Sequence, residues 1–230
     1  PMANLRISPI AFSHNLIRKG ISPKKLIINF STRDKNSLAL QSDILGTLGM
    51  GIDKLLLVKG DRISVGNSKK SKEVFELTTN ELISLVNKLR KGKDYSNSNI
   101  NFKPSMKIGS TLNIDLPYEK IVKILDKREK IGSDFLITQP LYSEEDFANL
   151  SKLSERANCK ILAGIFPINN IRTFKNLNSK IDGINKDNDL FNLLRKTRES
   201  SFLKESTDYL TRLLGAYKKN LDGVHIMTAG

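Results

Sequence analysis

Polar residues gather just after the apolar runs of this chain. Lys59-Gly60-Asp61 follows KLLLV, Ser31-Thr32-Arg33-Asp34 follows LIINF, and Thr138-Gln139-Pro140 closes DFLIT. An acid, a side-chain amide and several hydroxyl and basic groups in such places suit the binding of a cofactor that does the hard chemistry itself. No pair of carboxylates and no Ser/His/Asp set stands out, so hydrolysis by the familiar constellations is not supported. The chain has 2 histidines and 1 cysteine. A disulfide within the chain is therefore impossible, and no Cys/His cluster has metal-ligand spacing.

Each candidate also has a plain structural use. Asp61 follows a strand and a glycine, where Asp commonly makes a turn or caps a helix. Gln139 before Pro140 can satisfy loop backbone. Arg33-Asp34 can be a local ion pair, worth little if exposed. His225 in an alternating strand reads as a packed structural histidine, and Cys159 as a buried, inert thiol in a reducing cytoplasm. Gly46, Gly49 and Gly51 end a helix instead of following a strand, so they are stop signals and not a dinucleotide fingerprint.

The elements that must position these residues alternate. Apolar periodicity predicts strands at Leu26–Phe30, Lys54–Val58, Lys107–Ser110, Asp134–Thr138, Lys160–Ile165 and Gly223–Thr228. Helices are expected at Ser8–Lys19, Ser37–Leu48, Leu82–Arg90, Tyr118–Ile131, from Ser143 onward, Asn170–Leu177, over 187–199 and at Leu203–Leu221. Thr78-Thr79-Asn80-Glu81 and Ser143-Glu144-Glu145-Asp146 carry capping signals, and Gly92 to Pro104 reads as a loop. Short, continuously apolar strands between helices mark a parallel sheet covered by helices. With no repeat and no shift in composition, one domain over 1–230 is expected. If the sheet is a (β/α)8 TIM barrel, six of its eight strands are visible, and the first two are expected to be missing ahead of Ser8.

Composition narrows the partners. Hydrophobic residues at 39% and charged residues at 27% exclude a disordered chain, and no apolar run approaches the roughly 20 residues of a spanning helix. The net charge of +14 invites a nucleic-acid reading. Yet basic and acidic residues interleave along the helices, apart from the short clusters Lys69-Lys70-Ser71-Lys72 and Arg90-Lys91-Gly92-Lys93, and no nucleic-acid motif is present. Attraction for small anionic ligands is the better account, with no nucleic-acid or membrane partner expected.

Several motifs then come in one order. They are Thr32-Arg33-Asp34-Lys35-Asn36 with Leu40-Gln41-Ser42-Asp43-Ile44-Leu45-Gly46, Leu48-Gly49-Met50-Gly51-Ile52 through Lys59-Gly60-Asp61, and Lys130 through Ile137-Thr138-Gln139-Pro140. Ala163-Gly164-Ile165-Phe166-Pro167 and Gly223-Val224-His225-Ile226 follow. The series resembles the T-x-R-D-x-N…LQSDLLGA, ALGI…L-x-x-TGD and K-x-AGADFIITQP segments of the methylenetetrahydrofolate reductase family. That resemblance implies a (β/α)8 barrel carrying FAD, which takes a hydride from NADH or NADPH and passes it to the methylene group of a folate in one-carbon metabolism. It implies that Asp61 is the acid near flavin and pterin, that Gln139 hydrogen-bonds the pterin, and that Ile171 stands where some members place an aromatic over the ligand. Val58, Lys59, Gly60 and Asp61 would line the flavin, and Arg128 stands where the family usually has a flavin-contacting Lys. A homo-oligomer in the cytoplasm is implied as well.

The chain also departs from the family pattern. The first strand, with its proton-donating glutamate, has no counterpart after Pro1. Asn29 replaces a histidine of bacterial members, and Thr111 to Leu116 offers no equivalent of their Tyr and His near the flavin. A modified pterin in place of folate, a non-catalytic pterin-binding or partner subunit of the same lineage, and a basic nucleic-acid-binding protein are the alternatives.

Overall fold

The computed structural model describes residues 3–180 and 188–228. The chain divides into two compact units, Pro1–Ser110 with Arg128–Asp134, and Thr111–Lys127 with Phe135–Gly230.

In the first unit, β1 (Ile28–Ser31), β2 (Lys54–Val58) and the first four residues of β3 (Lys107–Leu112) pair in parallel and in chain order, with Ile28 opposite Leu55 and Lys54 opposite Lys107. Helices α1 (Pro9–Arg18), α2 (Ser37–Gly49) and α3 (Thr79–Arg90) accompany them. The strands form from apolar runs because both faces are covered: Leu55, Leu57 and Ile108 are inaccessible and cluster with Ile44 of α2 and Leu82, Ile83 and Val86 of α3. Asn36 caps α2 by accepting from Ala39 N. Thr78 and Glu81 form the expected capping box on α3, which satisfies two backbone donors there. Asp134 joins elements within the unit, accepting from Ile108 N at 2.7 Å and from the Arg90 guanidinium. The loop from Gly92 is pinned rather than loose. Tyr95 N donates to Gln41 Oε1 at 2.7 Å, and Lys88 Nζ donates to Tyr95 O at 3.0 Å.

In the second unit, β4 (Phe135–Pro140), β5 (Lys160–Ile165) and β6 (Gly223–Ile226) are again parallel and in chain order. Most of α4 (Tyr118–Lys130), all of α5 (Glu144–Arg156), α6 (Ile171–Lys180), α7 (Asp189–Arg195) and α8 (Phe202–Tyr217) belong here. The register of β4 on β5 shifts between Ile137 and Pro140. At that irregularity Gly164 passes so close that a Cβ would stand 2.5 Å from Thr138 O and 2.7 Å from Gln139 O. The core holds Tyr142, Phe147, Phe174 and Phe191, with ring centroids 5.4 Å apart for Tyr142–Phe191 and 5.2 Å for Phe174–Phe191.

Six parallel strands alternating with helices give the α/β class that the sequence predicts, with β2 and β5 at their predicted bounds. Two strands run further than expected, β3 to Leu112 and β4 to Pro140, so Gln139 and Pro140 lie within a strand and not after it. The predicted helix over 187–199 is α7 (Asp189–Arg195) followed by a 3-10 turn at Glu199–Ser201; its expected first residue, Asp187, lies outside the described residues. Among the described residues no helix is long and apolar enough to cross a membrane.

His225 sits opposite Gly164 on β6, half-buried, with a solvent-shielded Nδ1 that has no partner among the described residues. Burial lowers its pKa below the ordinary value. As pH falls through about 6.5 the unfolded chain takes up this proton first, so the unfolded state binds more protons and gains. Stability is thus full above the ordinary histidine pKa and is lost as pH drops toward and through the depressed one. Urea titrations between about pH 8 and pH 5 should show that loss, and His225→Gln should flatten it.

Candidate functional site

The loop after β2 is held by the loop after β1. Ser31 Oγ donates to Lys59 O at 3.2 Å, Thr32 Oγ1 donates to the same carbonyl at 3.3 Å, and Thr32 N donates to Val58 O at 3.2 Å. Such closeness requires Gly60. Its φ is +84°, and a Cβ would collide with Ser31 Oγ and come within 3.2 Å of Arg33 Cβ. Arg33 completes the clasp. Its guanidinium Nε and Nη2 bind the two Asp34 oxygens at 2.7 and 2.8 Å, and Nη1 donates to Asp61 O at 3.1 Å. The Asp34 hydrogen bond raises the Arg33 pKa against the opposing effect of burial. Arg33 is 8% exposed, so this is an organising group and not the surface ion pair that the sequence alone allows.

Asp61 is therefore fixed through its backbone, while its side chain stays exposed and makes no hydrogen bond or ion pair among the described residues. Lys59 is also exposed, whereas the Val58 side chain is buried in the sheet, so Val58 offers a ligand only backbone.

Beside this loop, within the same unit, lies a cavity of about 410 Å³. Lys59, Arg62 and Arg128 line it together with Phe75, Thr79 and Asn80, and among the described residues no carboxylate does. Phe75 adopts φ +40°, a left-handed conformation that a bulky residue holds only when its surroundings enforce it. Here Phe75 N donates to Thr32 O at 3.1 Å and Val74 N to Arg33 O at 2.7 Å. Lys59 Nζ and Arg62 Cζ stand 5.6 and 5.7 Å from the Phe75 ring centroid, within cation–π range. Arg62 is paired with Glu73 at 2.9 Å. Arg128 Nη1 donates to Asn80 Oδ1 at 2.5 Å, and its Nε is shielded from solvent with no partner among the described residues. Burial lowers the Arg128 pKa, as expected of a cation drawn out of water without a counter-charge.

The other predicted residues belong to the second unit. Gln139 is half-buried on β4, and its side-chain amide is unbonded among the described residues. Its carbonyl accepts from Thr138 Oγ1 at 2.8 Å, and the same hydroxyl accepts from Gly164 N at 2.8 Å. Ile171 opens α6, is 37% exposed, and its backbone N donates to Glu199 Oε1 at 2.8 Å. Among the described residues no group of His, Cys, Asp and Glu can hold a metal ion.

Lys59, Gly60, Asp61 and Arg128 are thus brought to one loop and its adjoining cavity. Arg33, Arg62, Phe75 and Asn80 enter the site without a sequence signal of their own, except that Asn80 falls inside the capping motif of α3. Gly60→Ala should destabilise the protein by about 1–3 kcal/mol in urea unfolding. The loss should shrink in a Ser31→Ala background, because the collision partner is then gone.

No curated protein matches the chain. One solved structure is described as an uncharacterized protein from Clostridium thermocellum that binds two copies of 5-methyl-5,6,7,8-tetrahydrofolic acid. It is 14% identical over 88% of this chain and 87% of that one, with a TM-score of 0.39, too low to carry an argument. The family model described as methylenetetrahydrofolate reductase matches residues 24–228, a span that includes β1 to β6, the clasped loop and every residue around the cavity. This chain belongs to the methylenetetrahydrofolate reductase family.

Proposed function

We propose that the chain is a flavin-dependent reductase that converts the methylene group of 5,10-methylenetetrahydrofolate, or of a related tetrahydropterin, to a methyl group with electrons from NADH or NADPH. Its strands are read as part of a (β/α)8 barrel, whose chemistry sits at the carboxyl ends of strands. Family membership supports the substrate class. The observation that carries the reading is the clasped Lys59-Gly60-Asp61 loop beside a cavity rich in cations and, among the described residues, free of carboxylates.

The residues fit FAD on physical grounds. Lys59 and the half-buried Arg128, whose Nε has no partner among the described residues, would hold its anionic part, and the Gly60 turn holds the loop that carries Lys59 against Ser31. When bound, the flavin supplies the relay of a hydride from nicotinamide to the substrate's methylene carbon. The chain's own part is electrostatic and positional. The Asp61 carboxylate, unpaired among the described residues, would favour a cationic iminium form of the substrate, and the Gln139 amide, unbonded among them, can donate to and accept from a pterin edge. Asp61 is held by its carbonyl, so its carboxylate needs no reorganisation to act.

Purified protein incubated with FAD should turn yellow and should oxidise NAD(P)H in the presence of menadione or methylenetetrahydrofolate. A protein that stays colourless would sink the proposal; pterin binding without flavin reduction would mark a non-catalytic binder. Asp61→Asn should lower kcat/KM for the folate by about 10²-fold. The menadione reaction, which needs no iminium, should change much less.

A further inference from the structure

The Arg128 guanidinium is in an unusual electrostatic position. It is drawn out of water, its Nε is unpartnered, and no carboxylate pairs with it among the described residues. Its one bonded neighbour is neutral, the Oδ1 of Asn80 at 2.5 Å. Asn80 lies in the first turn of α3, the positive end of a 12-residue helix, where a cation is disfavoured. The Thr78–Glu81 capping box takes up the backbone N–H groups of Thr78 and Glu81 at that end.

The charges around the cavity can be counted. Arg62 is paired with Glu73. Lys59 faces the Phe75 ring, and Arg128 faces Asn80. Two positive charges therefore lack a carboxylate among the described residues, which matches the roughly two negative charges of a dinucleotide diphosphate. A half-buried cation with a shielded Nε and a neutral holder is a poor arrangement for the empty protein and a good one for a protein loaded with an anion.

We propose that Asn80 is a positioning residue, which holds Arg128 in place with a neutral acceptor so that the guanidinium keeps its charge for a diphosphate ligand in the Lys59–Arg62–Arg128 cavity. The assignment rests on the flavin reading for the identity of the natural ligand, but not for the chemistry of the site. Neutrality is what the position demands. A carboxylate at residue 80 would hold Arg128 at least as firmly and would quench it.

The test uses the full chain freed of flavin, with inorganic pyrophosphate and FAD as separate probes. Pyrophosphate binding is read by calorimetry and FAD binding by quenching of flavin fluorescence, at fixed ionic strength. Asn80→Leu should weaken both about tenfold by releasing Arg128. Asn80→Asp should also weaken both about tenfold, yet raise the melting temperature of the ligand-free protein. A merely structural Asn80 predicts that Asn80→Leu, or Asn80→Ala where Asn80→Leu does not fold, binds both probes as the parent does; that result overturns the assignment. If the parent chain binds pyrophosphate and loses it in both variants but never takes up FAD, the positioning role stands and the flavin reading falls. If the parent takes up FAD and both variants bind it equally well, the positioning role falls alone.

Discussion

The site depends on one close contact between two loops, made possible by a missing side chain. At Gly60 the backbone turns with positive φ directly against Ser31, and the Val58 and Lys59 carbonyls then come within reach of donors on Ser31 and Thr32. Parallel pairing of β1 with β2 brings the two loops side by side, because it places Ser31 opposite Val58. From there Arg33 reaches Asp61 O, and the carbonyls of Thr32 and Arg33 fix Phe75 and Val74. Position propagates from a strand register to a carboxylate and to a cavity wall through backbone groups. Side chains are thereby left over for ligands.

The same economy shapes the electrostatics. A chain of net charge +14 needs no special device to attract anions, but general attraction does not select. In the proposed site, selection would come from where counter-charges are withheld. Arg33 has Asp34 and Arg62 has Glu73, and both are thereby committed to structure. Lys59 and Arg128 face an aromatic ring and an amide instead, partners that orient a cation without neutralising it.

Much of this architecture is legible in the sequence because it is local. KLLLV and KILAGI carry no polar side chain after their leading lysine and give β2 and β5 at their bounds, and the capping residues of α3 and α5 announce themselves by spacing. The motif series places Asp61, Lys59, Gly60 and Arg128 in one family, and the structure puts Lys59 and Arg128 around one cavity. What is not legible depends on long-range closure. Nothing in Thr32-Arg33-Asp34 says that the arginine is buried and reaches a carbonyl 28 positions away. Phe75 carries no turn residue to betray its positive φ, since tertiary hydrogen bonds impose it. Gln139 and Pro140 read as loop after DFLIT, yet β4 runs on through them, its register on β5 shifting between Ile137 and Pro140.

The Gly60–Ser31 contact also ties two positions together in heredity. A side chain at residue 60 is blocked both by its backbone angle and by the Ser31 hydroxyl, while shortening Ser31 alone removes a donor to Lys59 O and an acceptor for Arg33 N. Neither step is neutral by itself, so drift at these two sites must pass through a less fit intermediate. Descendants of this chain should therefore hold the pair fixed long after the surrounding surface has diverged, and a lineage that has released one should be found to have released the other.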